Sequence, residues 1–173
     1  MKVVLKLIAY MIVLSLLIKV NTEDRMIMLG EVRSYGANII ATHDAAVIRR
    51  DLQAEGFIVF DEVRGLAEFR DSLIINLGLN PDLSPTNHAI FSGPIKIAAL
   101  FFVGDDKVPA NGNGSPIYPY EFAKNITYRG ETITVRETLF GPSIISMIEA
   151  PLNVEGDPII LKRAVYRYLD KEL

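Results

Sequence analysis

The sequence contains no cysteine among its 173 residues. A chain without thiols has no disulfide framework, no thiolate zinc site and no cysteine nucleophile. It also has only two histidines, His43 and His88. Only His43 has an adjacent acid, Asp44, and neither histidine lies at a spacing typical of metal ligands or of a catalytic triad. We therefore expect no enzyme activity, no cofactor and no metal.

Acidic residues, glycine and proline are all absent between Val3 and Val20. Lys2 and Lys6 lie at the start of this segment, and Lys19 closes its strictly apolar run. A bilayer core requires about 20 apolar residues in a helix, and terminal lysines reach the headgroups by snorkelling. We therefore predict a transmembrane signal anchor over residues 1–20. A cleaved signal peptide and the buried helix of a cytosolic protein are the alternatives, although no A-x-A processing pattern follows the run.

The charges around this segment predict its orientation. Lys2 and Lys6 precede the apolar run, whereas Glu23 and Asp24 follow it. Since cytoplasmic flanks carry the excess of lysine and arginine, we expect a single-pass protein of the cell membrane. Its N-terminus would lie inside, and the remainder from about residue 22 would be extracytoplasmic.

The composition restricts the remainder of the chain to one globular domain. Half of the residues are hydrophobic and 23% are charged, with a net charge of −3. About 150 residues outside the anchor are enough for one domain with its own core. Because surfaces that bind polyanions are normally basic, we expect no nucleic-acid partner.

Residues 21–56 are predicted to form an amphipathic helix that continues from the anchor. Proline is absent until residue 81, and Gly56 is placed to end the helix. Apolar and small residues recur at three- and four-residue steps along one face. We predict that this face packs against other helices, because its small residues permit close approach. The predicted helix-packing interface consists of Leu29, Val32, Gly36, Ile39 and Ala46.

Residues 57–173 are predicted to form an extracytoplasmic α+β domain. Residues 57–60 fit a strand or a docked linker, and a short helix is expected from Asp61 to Leu77, ended by Gly78. Strand patterns follow at residues 94–103, 125–128, 132–140, 143–149 and 159–169, and the last of these also fits a terminal helix. Residues 94–103 are apolar on both faces, which indicates a central strand. The predicted fold class is α+β: a long N-terminal transmembrane and amphipathic helix, a short helix, and an antiparallel sheet of four to five strands.

The loops offer few candidates for a binding site. Tyr118, Tyr120 and Phe122 form an aromatic cluster that is either a contact loop or a segment folded back on the core. Asp105-Asp106, followed by asparagines at 111 and 113, fits a calcium loop or a solvated turn, and its spacing differs from that of an EF-hand. The glycines at 112 and 114 lack the strand and helix that flank a phosphate-binding loop.

The order of these elements resembles the plan of type IV pilins. The closer likeness is to small TadE-like or pseudopilin-like proteins of Gram-positive secretion and conjugation systems. Besides the layout, it rests on residues 45–56, Ala-Ala-Val-Ile-Arg-Arg-Asp-Leu-Gln-Ala-Glu-Gly, because a helix with small residues and an Arg-Asp pair commonly precedes the globular part in those families.

The resemblance implies a pilin-like structural subunit of a cell-envelope secretion or conjugation assembly. Such a subunit would act by helix packing, with the membrane, other anchored or pilin-like subunits, or copies of itself as partners. The glycine that precedes the apolar run of typical prepilins and the glutamate five residues into the mature helix are missing here, which argues against prepilin processing and polymerisation. The alternative is a membrane-tethered extracytoplasmic binding domain for a small ligand or wall polymer, with Tyr118, Tyr120 and Phe122 at its site.

Overall fold

The computed structural model of the chain describes residues 2–168 and has an α+β fold. Three helices come first: α1 (Lys2–Asp44), α2 (Arg50–Gln53) and α3 (Glu62–Leu77). Five strands follow: β1 (Lys96–Val103), β2 (Tyr120–Tyr128), β3 (Glu131–Leu139), β4 (Ser143–Pro151) and β5 (Ile159–Arg167). The predicted fold class is therefore confirmed.

Helix α1 is one uninterrupted helix of 43 residues, about 65 Å long at 1.5 Å per residue. Every side chain from Val3 to Thr22 is exposed. By length and composition, α1 is the one helix among the described residues that could span a membrane. Its predicted start at Met1 lies outside the described residues.

The predicted continuation of this helix to residue 56 is wrong. After Asp44 the chain becomes extended and pairs with the segment that precedes α3. The amide of Arg49 donates to the carbonyl of Val59, and the amide of Asp61 donates to the carbonyl of Val47, each over 2.8 Å. These bonds satisfy backbone groups that a continuous helix would have paired internally, so only the short α2 is helical in this region.

Helix α3 confirms its predicted limits. The Asp61 side chain accepts a hydrogen bond from the amide of Arg64 over 3.1 Å, which satisfies one free donor of the first turn. Gly78 ends the helix with φ of 66°, a left-handed conformation that glycine adopts at little cost.

The strands form two antiparallel sheets, whereas a single meander was expected. One has the order β1-β4-β5, and the other is the β2–β3 hairpin. The prediction that β1 is central is wrong, because β4 occupies the centre and β1 lies at an edge. Strand β1 is apolar on both faces because layers cover both faces of the sheet. Strand β5 confirms the strand alternative for residues 159–167, and the predicted end at Leu169 lies outside the described residues.

Two hydrophobic cores hold the layers together. The first lies between the helices and the three-stranded sheet, and Phe69, Leu73 and Ile148 are almost fully buried in it. The second lies between that sheet and the hairpin and includes Ile145 and Leu139. The order of layers is therefore helices, three-stranded sheet and hairpin.

Candidate functional site

One face of α1 attaches the helix to the domain, and its residues are small or polar. Residues at three- and four-residue steps are buried there against β4, β5 and α3. They are Gly30, Ser34, Ala37, Asn38, Ala41 and Thr42, and the row ends at Ala45, the first residue after α1. A Cβ atom at Gly30 would collide with the Leu152 side chain. Small residues are therefore required here for the close approach of helix to sheet.

A buried polar cluster fixes this contact. Ser146 Oγ of β4 donates to Asn38 Oδ1 over 2.8 Å, and Asn38 Nδ2 donates to the carbonyl of Lys162 over 3.1 Å. The hydroxyl oxygens of Thr42 and Ser146 lie 2.6 Å apart. Since buried polar groups are stable only when hydrogen-bonded, the cluster specifies one seating of α1 on the sheet.

The opposite face of α1 is apolar and exposed. We name its large apolar residues the outer strip: Met28, Leu29, Val32, Tyr35, Ile39 and Ile40. Val32 is 64% exposed and Met28 is 62% exposed. A row of large apolar side chains of this kind marks an interaction surface more often than a solvated one.

The outer strip contains most of the helix-packing interface predicted from the sequence. Leu29, Val32 and Ile39 belong to it. Gly36 lies between them, and a Cβ atom added there would meet no atom within 4 Å. Ala46 does not belong to the strip, because it follows the end of α1 and packs against the first core.

The outer strip lies on the same uninterrupted helix as the apolar segment that precedes it, and the polar residues Asn21, Thr22 and Arg25 separate the two on that face. Lys19, at the end of the apolar run, forms an ion pair with Glu155 in the loop between β4 and β5. The Lys19 ammonium holds the pKa of Glu155 below its ordinary value. Further along, Lys162 Nζ lies 3.1 Å from a Glu31 carboxylate oxygen. The domain therefore begins immediately after the apolar run, without an intervening stalk.

The contact loop predicted at Tyr118, Tyr120 and Phe122 is wrong in part, because Tyr120 and Phe122 lie in strand β2, and all three side chains are half-buried. The Tyr118 hydroxyl donates to Asp105 Oδ1 over 3.0 Å, and burial together with this bond raises the Tyr118 pKa. The Phe122 ring packs on Phe101 with a centroid distance of 5.2 Å. Tyr120 packs against the second core beside Phe122. The cluster thus folds back on the domain.

The residues considered for calcium form turns. Asp105 Oδ2 accepts from the amide of Ile58 over 2.7 Å. Asn111 Oδ1 accepts from the amides of Asn113 and Ser115 over 3.0 and 2.9 Å. Within residues 2–168, no three histidine, aspartate or glutamate side chains converge in a way that could hold a metal ion.

His43 and Asp44 lie beside a serine in an order unsuited to nucleophilic catalysis. His43 Nδ1 is 3.1 Å from Asp44 Oδ1, and Ser72 Oγ of α3 donates to Asp44 Oδ2 over 2.7 Å. A serine nucleophile requires the imidazole between hydroxyl and carboxylate, whereas here the carboxylate lies between them. The contact connects the end of α1 to α3.

The buried face of α1 was not predicted from the sequence. The large apolar residues on the opposite side of α1 gave the stronger periodic pattern in the sequence. The recurrence of glycine, serine and alanine at residues 30, 34, 37, 41 and 45 is the signal that could have found it.

No protein-family model, curated protein or solved structure matches this chain. The resemblance to pilin-like proteins thus stays an expectation from the layout of the sequence.

Proposed function

We propose that this protein is a membrane-anchored, pilin-like structural subunit of a cell-envelope secretion or conjugation assembly that acts through lateral packing of α1. The observation that carries the proposal is the division of α1 between two faces. The small, polar face is buried against the protein's own domain, whereas the large apolar residues of the outer strip are exposed.

The position of the outer strip supports a partner helix that is itself anchored in the membrane. The strip and the apolar segment Val3–Val20 belong to one uninterrupted helix, so a second helix that lies along this segment and extends past Arg25 would also cover the strip. Gly36 leaves space in the middle of the strip, and a small residue there permits close approach of a second backbone. Lys2 and Lys6 ahead of the apolar run are the basis for an extracytoplasmic domain in this proposal, against Lys19 and Arg25 at its far end.

The alternative of a ligand-binding aromatic loop has less support. The Tyr118 hydroxyl and the Phe122 ring already have partners inside the domain. A carbohydrate or wall polymer would need exposed ring faces on which to stack.

Cysteine cross-linking in native membranes tests the proposal, because the natural chain has no cysteine. Val32→Cys places a thiol on the outer strip, and Asn125→Cys places one on the exposed surface of the hairpin, in the layer that lies across the sheet from α1. Mild oxidation is expected to give covalent dimers of the chain, or a conjugate with another anchored protein, only for Val32→Cys. Equal cross-linking of the two variants, or none with either, would contradict packing through the outer strip.

A further inference from the structure

Strand β1 has an open edge that is unusually apolar. It pairs with β4 on one side, and within residues 2–168 no strand pairs with its other side. The seven residues from Ile97 to Val103 include no charged side chain. The opposite edge strand, β5, carries Lys162, Arg163 and Arg167. Charged side chains protect edges against strand addition, so β5 is protected along its length, whereas β1 carries a charge only at its first residue, Lys96.

Clefts lie on both sides of the open edge. The first, of about 330 Å³, lies towards α3, and the second, of about 190 Å³, lies towards the hairpin. The α3 cleft is lined by Glu62, Val63, Leu66, Leu100 and Phe102. The hairpin cleft shares Glu62, Leu100 and Phe102 and adds Phe101, Val103, Lys107, Tyr120, Phe122 and Lys124. The two clefts therefore meet along the strand.

This arrangement matches the requirements of strand addition. Successive side chains of an extended peptide point to opposite faces of a sheet. A peptide paired with the edge of β1 would place alternate side chains in the α3 cleft and the remaining ones in the hairpin cleft. Its backbone would supply the hydrogen bonds, and the clefts would select its side chains.

The α3 cleft fits apolar side chains. Val63 is 82% exposed and Leu66 is 43% exposed on the outside of α3, so both present hydrocarbon to solvent beside the edge. Covering them would remove apolar surface from water, which favours binding.

The hairpin cleft fits carboxylates. Lys107 lies at one end, paired with Glu62, and its Nζ also donates to the carbonyl of Phe102 over 2.9 Å. Lys124 lines the same cleft and makes no ion pair with any described residue. Its cation is available to an incoming acid.

We propose that the open edge of β1 binds an extended segment of a partner protein in which apolar residues alternate with acidic ones. The apolar residues face α3, and the acidic residues face Lys124, because Lys107 is already paired with Glu62. This inference concerns the domain and does not depend on packing of the outer strip.

Fluorescence anisotropy with the purified full chain in detergent micelles tests the proposal. The probe is a fluorescein-labelled peptide of alternating valine and glutamate, seven residues long. One comparison peptide has lysine in place of glutamate, and another has N-methyl groups on alternate amides. We expect the acidic peptide to bind at least about tenfold more tightly than either. Equal binding of the lysine peptide, or of the N-methylated peptide, would overturn the proposal.

Two substitutions on α3 locate the site. Leu66→Asp places a carboxylate in the α3 cleft and should weaken binding of the acidic peptide by about tenfold. Ile75→Asp is the matched control, because Ile75 is 78% exposed on the same helix and lines neither cleft. A similar loss with both variants would count against the site.

A substitution in the hairpin cleft tests the charge preference. Lys124→Glu should weaken binding of the acidic peptide and strengthen binding of the lysine peptide. A folding defect would weaken binding of both peptides. Sedimentation of the same samples detects the other occupant, a second copy of this chain. If Leu66→Asp abolished self-association while the wild-type chain bound no acidic peptide, the edge would belong to that copy and the proposal would fall.

Discussion

Ser146 of β4 and Asn38 of α1 form a hydrogen bond of 2.8 Å in the interior, where both side chains are fully buried. The same asparagine also bonds the carbonyl of Lys162 on β5. One side chain of the long helix is thus held by two strands. Because an unpaired buried polar group is costly, displacement of α1 along the sheet would be penalised at this point.

We expect Asn38→Ala to lower the free energy of unfolding by about 2–3 kcal/mol, because it removes the partner of the Lys162 carbonyl and one of the two partners of the Ser146 hydroxyl. Near-ultraviolet circular dichroism of the tyrosines during urea unfolding in micelles measures this, since the chain has no tryptophan. Asn125→Ala is the control. Asn125 is exposed on β2 and bonds only Thr134 among the described residues, so its loss should change stability by less than about 0.5 kcal/mol. Equal losses would show that the buried cluster is unimportant.

Gly65→Ala should lower the free energy of unfolding, because it disrupts the packing of α3 against its neighbours. A Cβ at this position would lie 2.6 Å from the carbonyl oxygen of Ala45 and 2.6 Å from Cε1 of Phe102. Overpacking of this kind costs about 1–3 kcal/mol. Gly36→Ala is the matched control within α1, because its Cβ meets nothing within 4 Å and alanine favours helix by roughly 0.5–1 kcal/mol. The midpoint of urea unfolding should therefore fall for Gly65→Ala and rise for Gly36→Ala. A lower midpoint in both variants would contradict the close packing at Gly65.

Much of this fold follows from local sequence signals, and the exceptions share one cause. Asp61 and Gly78 bound α3 as expected, because capping depends only on neighbouring residues. The end of α1 at Asp44 was missed, because it depends on pairing of residues 47–49 with 59–61. The edge position of β1 was not predicted, because a central strand and an edge strand are both apolar when packed layers cover the two faces of the sheet. Tertiary contacts determine both the end of α1 and the position of β1.

The same limit applies to the candidate surfaces. Periodicity identified Leu29, Val32 and Ile39 as a helix face, and the structure places them together on the outside. The periodicity did not show which face of α1 packs against the domain. Asn38 and Ser34 are polar residues, and the hydrogen bonds that allow their burial are not visible in the sequence. The clefts beside β1 combine residues from α3, β1 and β2, which no local pattern connects.

Tyr118→Phe should reveal a stability difference that depends on pH. The folded pKa of Tyr118 is raised above its ordinary value of 10.0, so the native state keeps a proton that the unfolded state loses. The contribution of the phenol is therefore complete below pH 10 and is lost as the pH rises towards the folded pKa. The wild type should be more stable than the variant by about 1 kcal/mol at pH 8, and this difference should shrink above pH 10. A difference between wild type and Tyr118→Phe that stayed constant from pH 8 to above pH 10 would contradict the raised pKa of Tyr118.

Arg129→Ala should loosen the hairpin without affecting the helices. Arg129 lies in the turn between β2 and β3, and its Nη2 is 3.2 Å from the buried Glu149 Oε1 of β4. The ion pair joins the tip of the hairpin to the three-stranded sheet, and a two-stranded hairpin is marginally stable without such contacts. Hydrogen exchange should accelerate by about tenfold at the amides of β2 and β3 and remain unchanged in α1 and α3. Arg136→Ala, which removes a cation from the exposed face of β3, is the control. Uniform acceleration across the domain would mean that the hairpin and the sheet unfold as one unit, and the ion pair would then contribute to global stability.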